Sequence, residues 1–191
     1  MKYISIFCGS SSGNDTVYAE QATLLGKTIA QRGYGIVYGG AHVGLMGYVA
    51  NGALNAGGEV IGIIPEFLKS KELEHTRLTK IHIVETMHER KALMNDLSDG
   101  IIALPGGYGT LDELFEMLTW AQLALHKKPV AILNTNGYYN PLITMSQTMI
   151  KNGFLKEEYQ NLLLVDDKID CLLNKMEKYA PPVNDKWFVV N

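Results

Sequence analysis

The chain has little of what marks secreted, membrane-bound or nucleic-acid-binding proteins. Only two of its 191 residues are cysteine, Cys8 and Cys171, so no disulfide framework is indicated and reduced cytosolic thiols are expected. No run approaches the roughly 18 apolar residues of a membrane helix, and the apolar run 3–8 is too short for a signal peptide. With 17 Lys and Arg against 20 Asp and Glu, the net charge of −3 argues against a nonspecific nucleic-acid binder. We expect a cytoplasmic protein that binds neither membrane nor nucleic acid.

What the chain does contain is an alternation of short apolar runs with helical patterns. This alternation predicts an α/β protein, with a doubly wound, mostly parallel sheet of about six to seven strands and helices on both faces. Predicted strands are 3–7, 34–38, 60–64, 81–84, 101–104, 130–133 and 162–165, and predicted helices include 16–32, 86–98, 111–125, 142–152 and 168–179. One domain is expected over residues 1–180. In the tail 181–191, Trp187 and Phe188 suggest docking, and residues 66–79 are expected to form a polar, irregular surface segment.

Three glycine-bearing turns follow predicted strands, at 9–13, 39–47 and 106–109. In open parallel sheets, ligands bind beyond the carboxyl ends of the strands. The three turns should therefore lie on one rim and form a single crevice the size of a nucleotide.

The most informative stretch is Pro105–Glu113, P-G-G-Y-G-T-L-D-E, between a predicted strand and a predicted helix. Glycines let backbone N–H groups approach a ligand, and a helix N-terminus adds unpaired donors and a positive dipole end. Together they predict an anion site, most often for phosphate. A phosphate and the carboxylates of Asp112 and Glu113 would repel each other at this helix end, so a nearby cation is needed. Arg90 and Lys91 are the candidates.

Glu113 has two interpretations at this point. With Thr110 as the N-cap, T-x-x-E would be a capping box, which by itself explains the glutamate. Alternatively, Glu113 faces the crevice as an ionised carboxylate that stabilises a developing cation or orients water. Arg90 and Lys91 could likewise be only a solvated basic helix face.

Several other chemistries lack their patterns in this sequence. The turn 9–13 is not a G-x-G-x-x-G fingerprint, and no Walker A lysine pattern occurs. His88-Glu89 begins like H-E-x-x-H, but Ala92 stands where the second histidine would be. No G-x-S-x-G elbow is present. No metal site is therefore expected.

Two motifs together, Met87-His88-Glu89-Arg90-Lys91 and Pro105–Glu113, resemble the lonely-guy family of cytokinin riboside 5′-monophosphate phosphoribohydrolases. Members of this family are often mislabelled as lysine decarboxylases. The segments 39–47, 119–123 and 136–139 also fit, so that the resemblance covers roughly residues 3–155. It implies a Rossmann-like homodimer that hydrolyses the N-glycosidic bond of a purine nucleoside 5′-monophosphate, releasing free base and ribose 5-phosphate, without a cofactor.

The resemblance also implies site residues. Arg90 and Glu113 match the catalytic pair. Asp112 stands where many members carry glutamate, which keeps the charge. The residues that would line the nucleotide site are Ser10, Gly40, Glu72, Arg90, Lys91, Gly106, Gly107, Tyr108, Gly109, Thr110, Leu111, Asp112 and Thr119.

The chemistry of the residues agrees with this resemblance. Cleaving a ribosyl–base bond develops oxocarbenium character on the sugar, which a fixed carboxylate such as Glu113 stabilises. The glycine turn would bind the 5′-phosphate, and Arg90 would offset negative charge or assist the leaving base. Two alternatives remain: a nucleotide-binding or sensing module without turnover, and a pyridoxal-phosphate decarboxylase with Lys91 as the Schiff-base lysine. The sequence does not distinguish AMP from an N6-modified cytokinin nucleotide as the substrate.

Overall fold

The computed structural model describes residues 1–69 and 74–182, and within them the chain forms one parallel sheet. Its strands are β1 Tyr3–Phe7, β2 Gly35–Tyr38, β3 Val60–Pro65, β4 Lys80–Val84, β5 Gly100–Ala103, β6 Val130–Leu133 and β7 Leu163–Asp166. They lie in the order β4-β3-β2-β1-β5-β6-β7, and every neighbouring pair is parallel. The predicted doubly wound α/β sheet is confirmed, with all strands within two residues of their expected bounds.

Helices cover both faces of the sheet. They are α1 Thr16–Gln31, α2 Gly44–Asn55, α3 Glu66–Lys69, α4 Met87–Asp96, α5 Tyr108–Gln122, α6 Asn140–Lys151 and α7 Ile169–Glu177. Alternate strand residues point to opposite faces, so Ile4 and Ile6 pack in one apolar cluster with α1, α2 and α7, whereas Phe7 packs in another with α4 and α5. Among the described residues, the helices are too short or too polar for any of them to cross a bilayer.

The chain reverses direction across the sheet at β1, because the strands first proceed outward to β4 and then resume on the other side with β5. Such a switch point opens a crevice between the carboxyl ends of the two adjacent strands. The turns that follow β1 and β5 are tied together there: the Gly9 N–H donates to the Pro105 carbonyl oxygen over 3.0 Å. The Gly9 carbonyl in turn accepts from the Leu45 N–H at the start of α2, also over 3.0 Å. The three glycine turns therefore meet at one edge of the sheet, as predicted.

Three local expectations need correction or lie outside the described residues. Helix α5 begins at Tyr108 with Gly107 as its N-cap, so the predicted N-cap at Thr110 is wrong. Residues 66–79, expected to be irregular, include the short α3 and a bridge between Ala41 and Glu74. The expected docking of Trp187 and Phe188 lies outside the described residues.

Candidate active site

A cleft of about 350 Å³ opens at the carboxyl edge of the sheet, over the switch point. Its walls come from the turns after β1, β2 and β5, from α3, and from the beginnings of α2, α4 and α5. We call this the cleft, and its lining residues are Ile6, Cys8, Gly9, Ser10, Gly39, Met46, Leu68, Met87, Arg90, Met94, Gly107, Tyr108, Gly109, Thr110, Asp112 and Glu113. Both members of the expected catalytic pair are among them.

Arg90 enters the cleft as a buried cation held by backbone carbonyls. Its Nε donates to the Ile63 carbonyl oxygen over 3.1 Å and its Nη2 to the Gly39 carbonyl oxygen over 2.9 Å, with 5% of the residue exposed. A Cβ atom on residue 39 would lie 2.1 Å from Nη2, so the glycine makes room for the guanidinium. Charge-assisted bonds to carbonyls offset part of the desolvation cost and fix the planar group in one orientation.

A helix cap related to the capping box places Arg90 at the rim of the sheet. The Thr86 hydroxyl accepts from the Glu89 N–H over 3.1 Å, and the Glu89 carboxylate accepts from the Glu85 N–H over 2.9 Å. Helix α4 therefore starts directly after the carboxyl end of β4, and Arg90 falls in its first turn. The T-x-x-E pattern at 86–89 is the sequence signal for this cap.

The same T-x-x-E pattern at 110–113 forms no capping box. Thr110 lies inside α5 and is buried, and the N-cap Gly107 has no side chain to accept from the helix. The capping interpretation of Glu113 is therefore wrong, and Glu113 is instead part of the cleft wall. Proximity to Cys8 agrees with this placement: burial raises the pKa of the Cys8 thiol, and the charge of Glu113 raises it further.

The start of α5 presents open backbone donors to the cleft. The first intrahelical bond of this turn runs from the Leu111 N–H to the Gly107 carbonyl oxygen, so the N–H groups of residues 108–110 precede it. A Cβ atom at Gly107 or at Gly109 would meet nothing within 4 Å. Packing therefore does not require glycine at these two positions, and the lack of a side chain leaves room for an anion to approach the backbone.

Lys91 lies beside the cleft rather than in its lining. Its ammonium group is 3.0 Å from Asp112 Oδ2 and 3.0 Å from Glu116 Oε2. Burial lowers the pKa of Lys91, but the bonds to Glu116 and Asp112 outweigh burial and raise the pKa overall. The lysine thus joins α4 to α5 and balances the acids next to Glu113.

The cleft has an apolar part that the sequence analysis did not identify. Met46, Met87, Met94 and Leu68 come from α2, α4 and α3 and meet at the cleft wall together with Ile6. Methionine side chains adapt to flat or irregular apolar ligands. Only the topology brings these residues together, because their helices are far apart in sequence.

Of the residues expected to form the site, the cleft brings eight together: Ser10, Arg90, Gly107, Tyr108, Gly109, Thr110, Asp112 and Glu113. Others lie elsewhere: Gly40 accepts from the His75 N–H, Gly106 lies behind the turn with Tyr138, Leu111 packs into the core, and Lys91 pairs with carboxylates. Glu72 lies outside the described residues.

Thr119 lines a different cavity. This groove, about 320 Å³ in volume, lies between α5, α6 and the segment 154–165. Apolar side chains form most of its walls, and its lining residues are Phe115, Leu118, Thr119, Gln122, Ile143, Ser146, Gln147, Met149, Phe154, Leu155, Tyr159, Gln160, Leu162, Leu163 and Val165. Six residues separate Thr119 from Glu113, which corresponds to about 9 Å along a helix axis.

Comparisons with solved structures support the fold. A molybdenum cofactor carrier protein from Chlamydomonas reinhardtii superposes with a TM-score of 0.72 at 20% identity, over 93% of this chain and 96% of that one. A molybdenum cofactor binding protein from Rippkaea orientalis gives a TM-score of 0.70 at 22% identity over the same shares. At such identities the likeness concerns the fold alone.

Comparisons with known sequences are closer. A family model described as "Possible lysine decarboxylase" matches residues 46–176. The cytokinin riboside 5′-monophosphate phosphoribohydrolase LOG5 of Arabidopsis thaliana is 45% identical over 184 residues, which cover 96% of this chain and 80% of that protein. The rice enzyme LOG of the same description (Oryza sativa subsp. japonica) is 42% identical over 178 residues, or 93% of this chain and 74% of that protein. The chain therefore belongs to the lonely-guy family of cytokinin riboside 5′-monophosphate phosphoribohydrolases.

Proposed function

We propose that the chain hydrolyses the N-glycosidic bond of a purine nucleoside 5′-monophosphate, either AMP or an N6-modified cytokinin nucleotide. The products are the free base and ribose 5-phosphate. The observation that carries this proposal is the placement of Arg90, Glu113 and the open start of α5 in one cleft. The names of the curated relatives agree with it.

The 5′-phosphate is the part of the substrate that the start of α5 suits. Backbone N–H groups and the helix dipole favour an anion at Gly107–Thr110, where no Cβ of residue 107 or 109 obstructs its approach. Binding energy from this remote group can then hold the sugar at the reacting position. The positive charge of Arg90 compensates for the phosphate being close to Asp112 and Glu113.

Glu113 acts where charge develops on the sugar. As the bond between C1′ and the base nitrogen breaks, its electron pair leaves with the base and C1′ becomes oxocarbenium-like. The Glu113 carboxylate stabilises this cation and orients the water whose oxygen bonds to C1′. That water loses a proton, the departing base gains one, and Arg90 assists by neutralising charge on the leaving group. The apolar part of the cleft, with Met46, Met87 and Met94, suits a purine ring.

The lysine decarboxylase description does not fit Lys91. A Schiff-base lysine needs a neutral amine, and desolvation or a neighbouring cation normally lowers its pKa. The two carboxylates around Lys91 raise its pKa instead. The proposed role of Lys91 is therefore electrostatic support of the cleft.

The chain is also proposed to act as a cytoplasmic homodimer, with its groove covered by a second copy. Phe154 in the groove is 88% exposed, although the surrounding lining is apolar. The family resemblance assigns Thr119 to a nucleotide site, yet Thr119 lines the groove and not the cleft of its own chain. A second copy seated on the groove would bring Thr119 to that copy's cleft.

The decisive experiment is to incubate the protein with AMP and with N6-isopentenyl-AMP and to measure free base by chromatography. Release of base from either nucleotide is expected, and the ratio of the two kcat/KM values identifies the preferred substrate. Binding of both nucleotides without base release would support the nucleotide-sensing alternative. Release of carbon dioxide from lysine would instead support the decarboxylase.

A further inference from the structure

Two consecutive tyrosines in the loop after β6 contact the segment around the glycine turn 106–109, which we call the phosphate turn. The Tyr138 hydroxyl donates to the Gly106 carbonyl oxygen over 2.6 Å, and the Tyr139 hydroxyl donates to the Leu104 carbonyl oxygen over 2.6 Å. Tyr139 is buried in the core, whereas Tyr138 is 41% exposed. Both bonds are at the short end of the range for O–H···O contacts. Neither tyrosine belongs to the proposed catalytic residues.

Contacts within the loop and with Tyr18 hold the Tyr138 side chain in place. Asn134 accepts from the Tyr139 N–H over 2.8 Å through Oδ1 and donates to Asn140 Oδ1 over 2.8 Å through Nδ2. The Tyr138 ring meets the ring of Tyr139 edge-on at 5.0 Å and that of Tyr18 at 6.0 Å between centroids. Such edge-to-face pairs are favourable and restrict the ring to one position.

The Tyr138 bond determines the direction of one peptide group in the phosphate turn. The Gly106 carbonyl and the Gly107 N–H belong to the same peptide plane, and in a trans peptide they point to opposite sides. No cis peptide occurs in the described residues. Tyr138 and Gly106 line the space behind the turn, while Gly107 also lines the cleft. A carbonyl held towards Tyr138 therefore leaves the N–H of Gly107 directed to the cleft side.

A peptide between two glycines needs such an external restraint. Without Cβ atoms, glycine has access to conformations on both sides of the φ map, so a Gly-Gly peptide can turn over at low cost. We infer that Tyr138 is a positioning residue of the cleft: its hydroxyl selects the peptide orientation in which the Gly107 N–H can donate to the substrate's 5′-phosphate. This inference rests on the proposed function in taking the ligand of the turn to be that phosphate.

The test compares Tyr138→Phe with the matched control Tyr48→Phe. Phenylalanine keeps both ring contacts of Tyr138 and removes only the hydroxyl, and Tyr48 is similarly exposed, at 44%, on α2 outside the cleft. Calorimetric Kd for ribose 5-phosphate should rise in Tyr138→Phe by about 3- to 10-fold, the usual effect of one lost hydrogen bond. KM for AMP should rise by a similar factor while kcat stays within about 2-fold, because the loss concerns the phosphate in ground and transition states alike. Tyr48→Phe should change neither.

Several results would overturn the inference. An unchanged Kd for ribose 5-phosphate would show that the Gly106–Gly107 peptide does not depend on the hydroxyl. A thermal midpoint that falls well below that of Tyr48→Phe, or a kcat that falls with KM unchanged, would assign Tyr138 a structural or catalytic role instead. If the wild-type protein binds ribose 5-phosphate but hydrolyses no nucleotide, the proposed function fails while the Kd comparison still decides the role of Tyr138. A wild-type protein that releases base from a nucleotide but binds no ribose 5-phosphate overturns the inference and leaves the proposed function standing.

Discussion

The cleft and the groove lie at opposite ends of the same helix, α5, and their linings differ in polarity. Residues 108–113 supply the cleft with open N–H groups, an anion-attracting dipole and two carboxylates. Residues 115–122 supply the groove with Phe115 and Leu118 among mostly apolar neighbours. The difference teaches that one amphipathic helix can carry two chemically different surfaces: backbone N–H groups and carboxylates at its N-terminus, and an apolar wall along its second half.

Arg90 and Lys91 show a related contrast at adjacent positions. Both are buried cations on α4, but carbonyl oxygens hold Arg90 and carboxylates hold Lys91. Bonds to neutral carbonyl oxygens do not neutralise the charge of Arg90, whereas the two carboxylates beside Lys91 neutralise its charge locally. The cleft therefore depends on Arg90 for positive potential and on Lys91 for holding α5 against α4.

The largest expected effect is that of Glu113→Gln on turnover. Loss of the carboxylate removes electrostatic stabilisation of the oxocarbenium-like sugar, so kcat should fall by about 100-fold or more. Steady-state release of base from the preferred nucleotide measures this effect. Thermal unfolding measures any separate structural contribution of Glu113, which does not include a capping box with Thr110. Glu20→Gln, an exposed change on α1, is the control, and equal turnover in both variants would contradict the assigned role.

The second effect is that of Arg90→Lys on catalysis. Lysine cannot reproduce the planar fork that reaches the carbonyls of both Ile63 and Gly39, so kcat/KM should fall by roughly 10- to 100-fold. Arg32→Lys is a matched control, because Arg32 pairs with Asp170 and Glu177 outside the cleft. That variant should retain full turnover. If the two variants lose activity equally, Arg90 acts through the fold and not through the substrate.

The groove is tested by Phe154→Asp. In an isolated chain this exposed position tolerates a charge, but in a dimer seated on the groove the aspartate would be buried without a partner. Sedimentation equilibrium should show a dimer Kd raised by about 10-fold or more, the effect expected for a central interface residue. Leu24→Asp, an exposed apolar position on α1, should leave the dimer intact. A wild-type protein that sediments as a monomer would overturn the proposed dimer.

A smaller effect separates binding from folding within the phosphate turn. Alanine at Gly107 adds a methyl group to open space near the cleft, so KM for the nucleotide should rise by about 3- to 10-fold with little loss of stability. Alanine at Gly106 would instead place its Cβ 2.2 Å from Thr110 Oγ1 and 2.8 Å from the Gly9 N atom. Gly106→Ala should therefore lower the thermal midpoint. If both variants lose stability alike, the Gly107 position is structural.

The sequence allowed the fold and the rim to be predicted because both follow from local patterns. Apolar runs, helix periodicity and three glycine turns are properties of neighbouring residues, and parallel connectivity then places the turns on one edge. Helix start positions were less predictable: T-x-x-E occurs at both 86–89 and 110–113, and it caps a helix only at the first. At the second, the helix begins earlier, at Tyr108 after Gly107, and Glu113 lies in the cleft wall.

Contacts between distant segments could not be predicted from such patterns. Tyr138 reaches Gly106 across 32 residues, and Arg90 reaches the Gly39 carbonyl across 51. Neither contact leaves a periodic signal, since each depends on where a loop returns to the sheet edge. The groove also escaped prediction, because its walls come from three separate segments.

The smallest expected effect concerns pH and the second half of α5. His126 is buried: its Nε2 lies 3.0 Å from the Met117 carbonyl oxygen, and its Nδ1 accepts from the Lys128 N–H over 3.2 Å. Burial lowers the pKa of His126, and nearby Lys128 lowers it further, against the raising effect of the Met117 carbonyl.

Because the folded-state pKa of His126 lies below the unfolded value of about 6.5, the unfolded chain binds the proton first as pH falls. The stabilising effect of neutral His126 is therefore complete above that value and is lost on acidification towards the folded-state pKa. His126→Gln should make the thermal midpoint less dependent on pH between 7 and 5, although His75 and His82, with pKa values shifted in the same direction, keep part of the slope. Binding of ribose 5-phosphate at pH 7 should not change, since His126 lies outside the cleft. An unchanged pH slope would show that His126 does not contribute to the pH dependence of stability, and a loss of phosphate binding would show that the two ends of α5 are not independent.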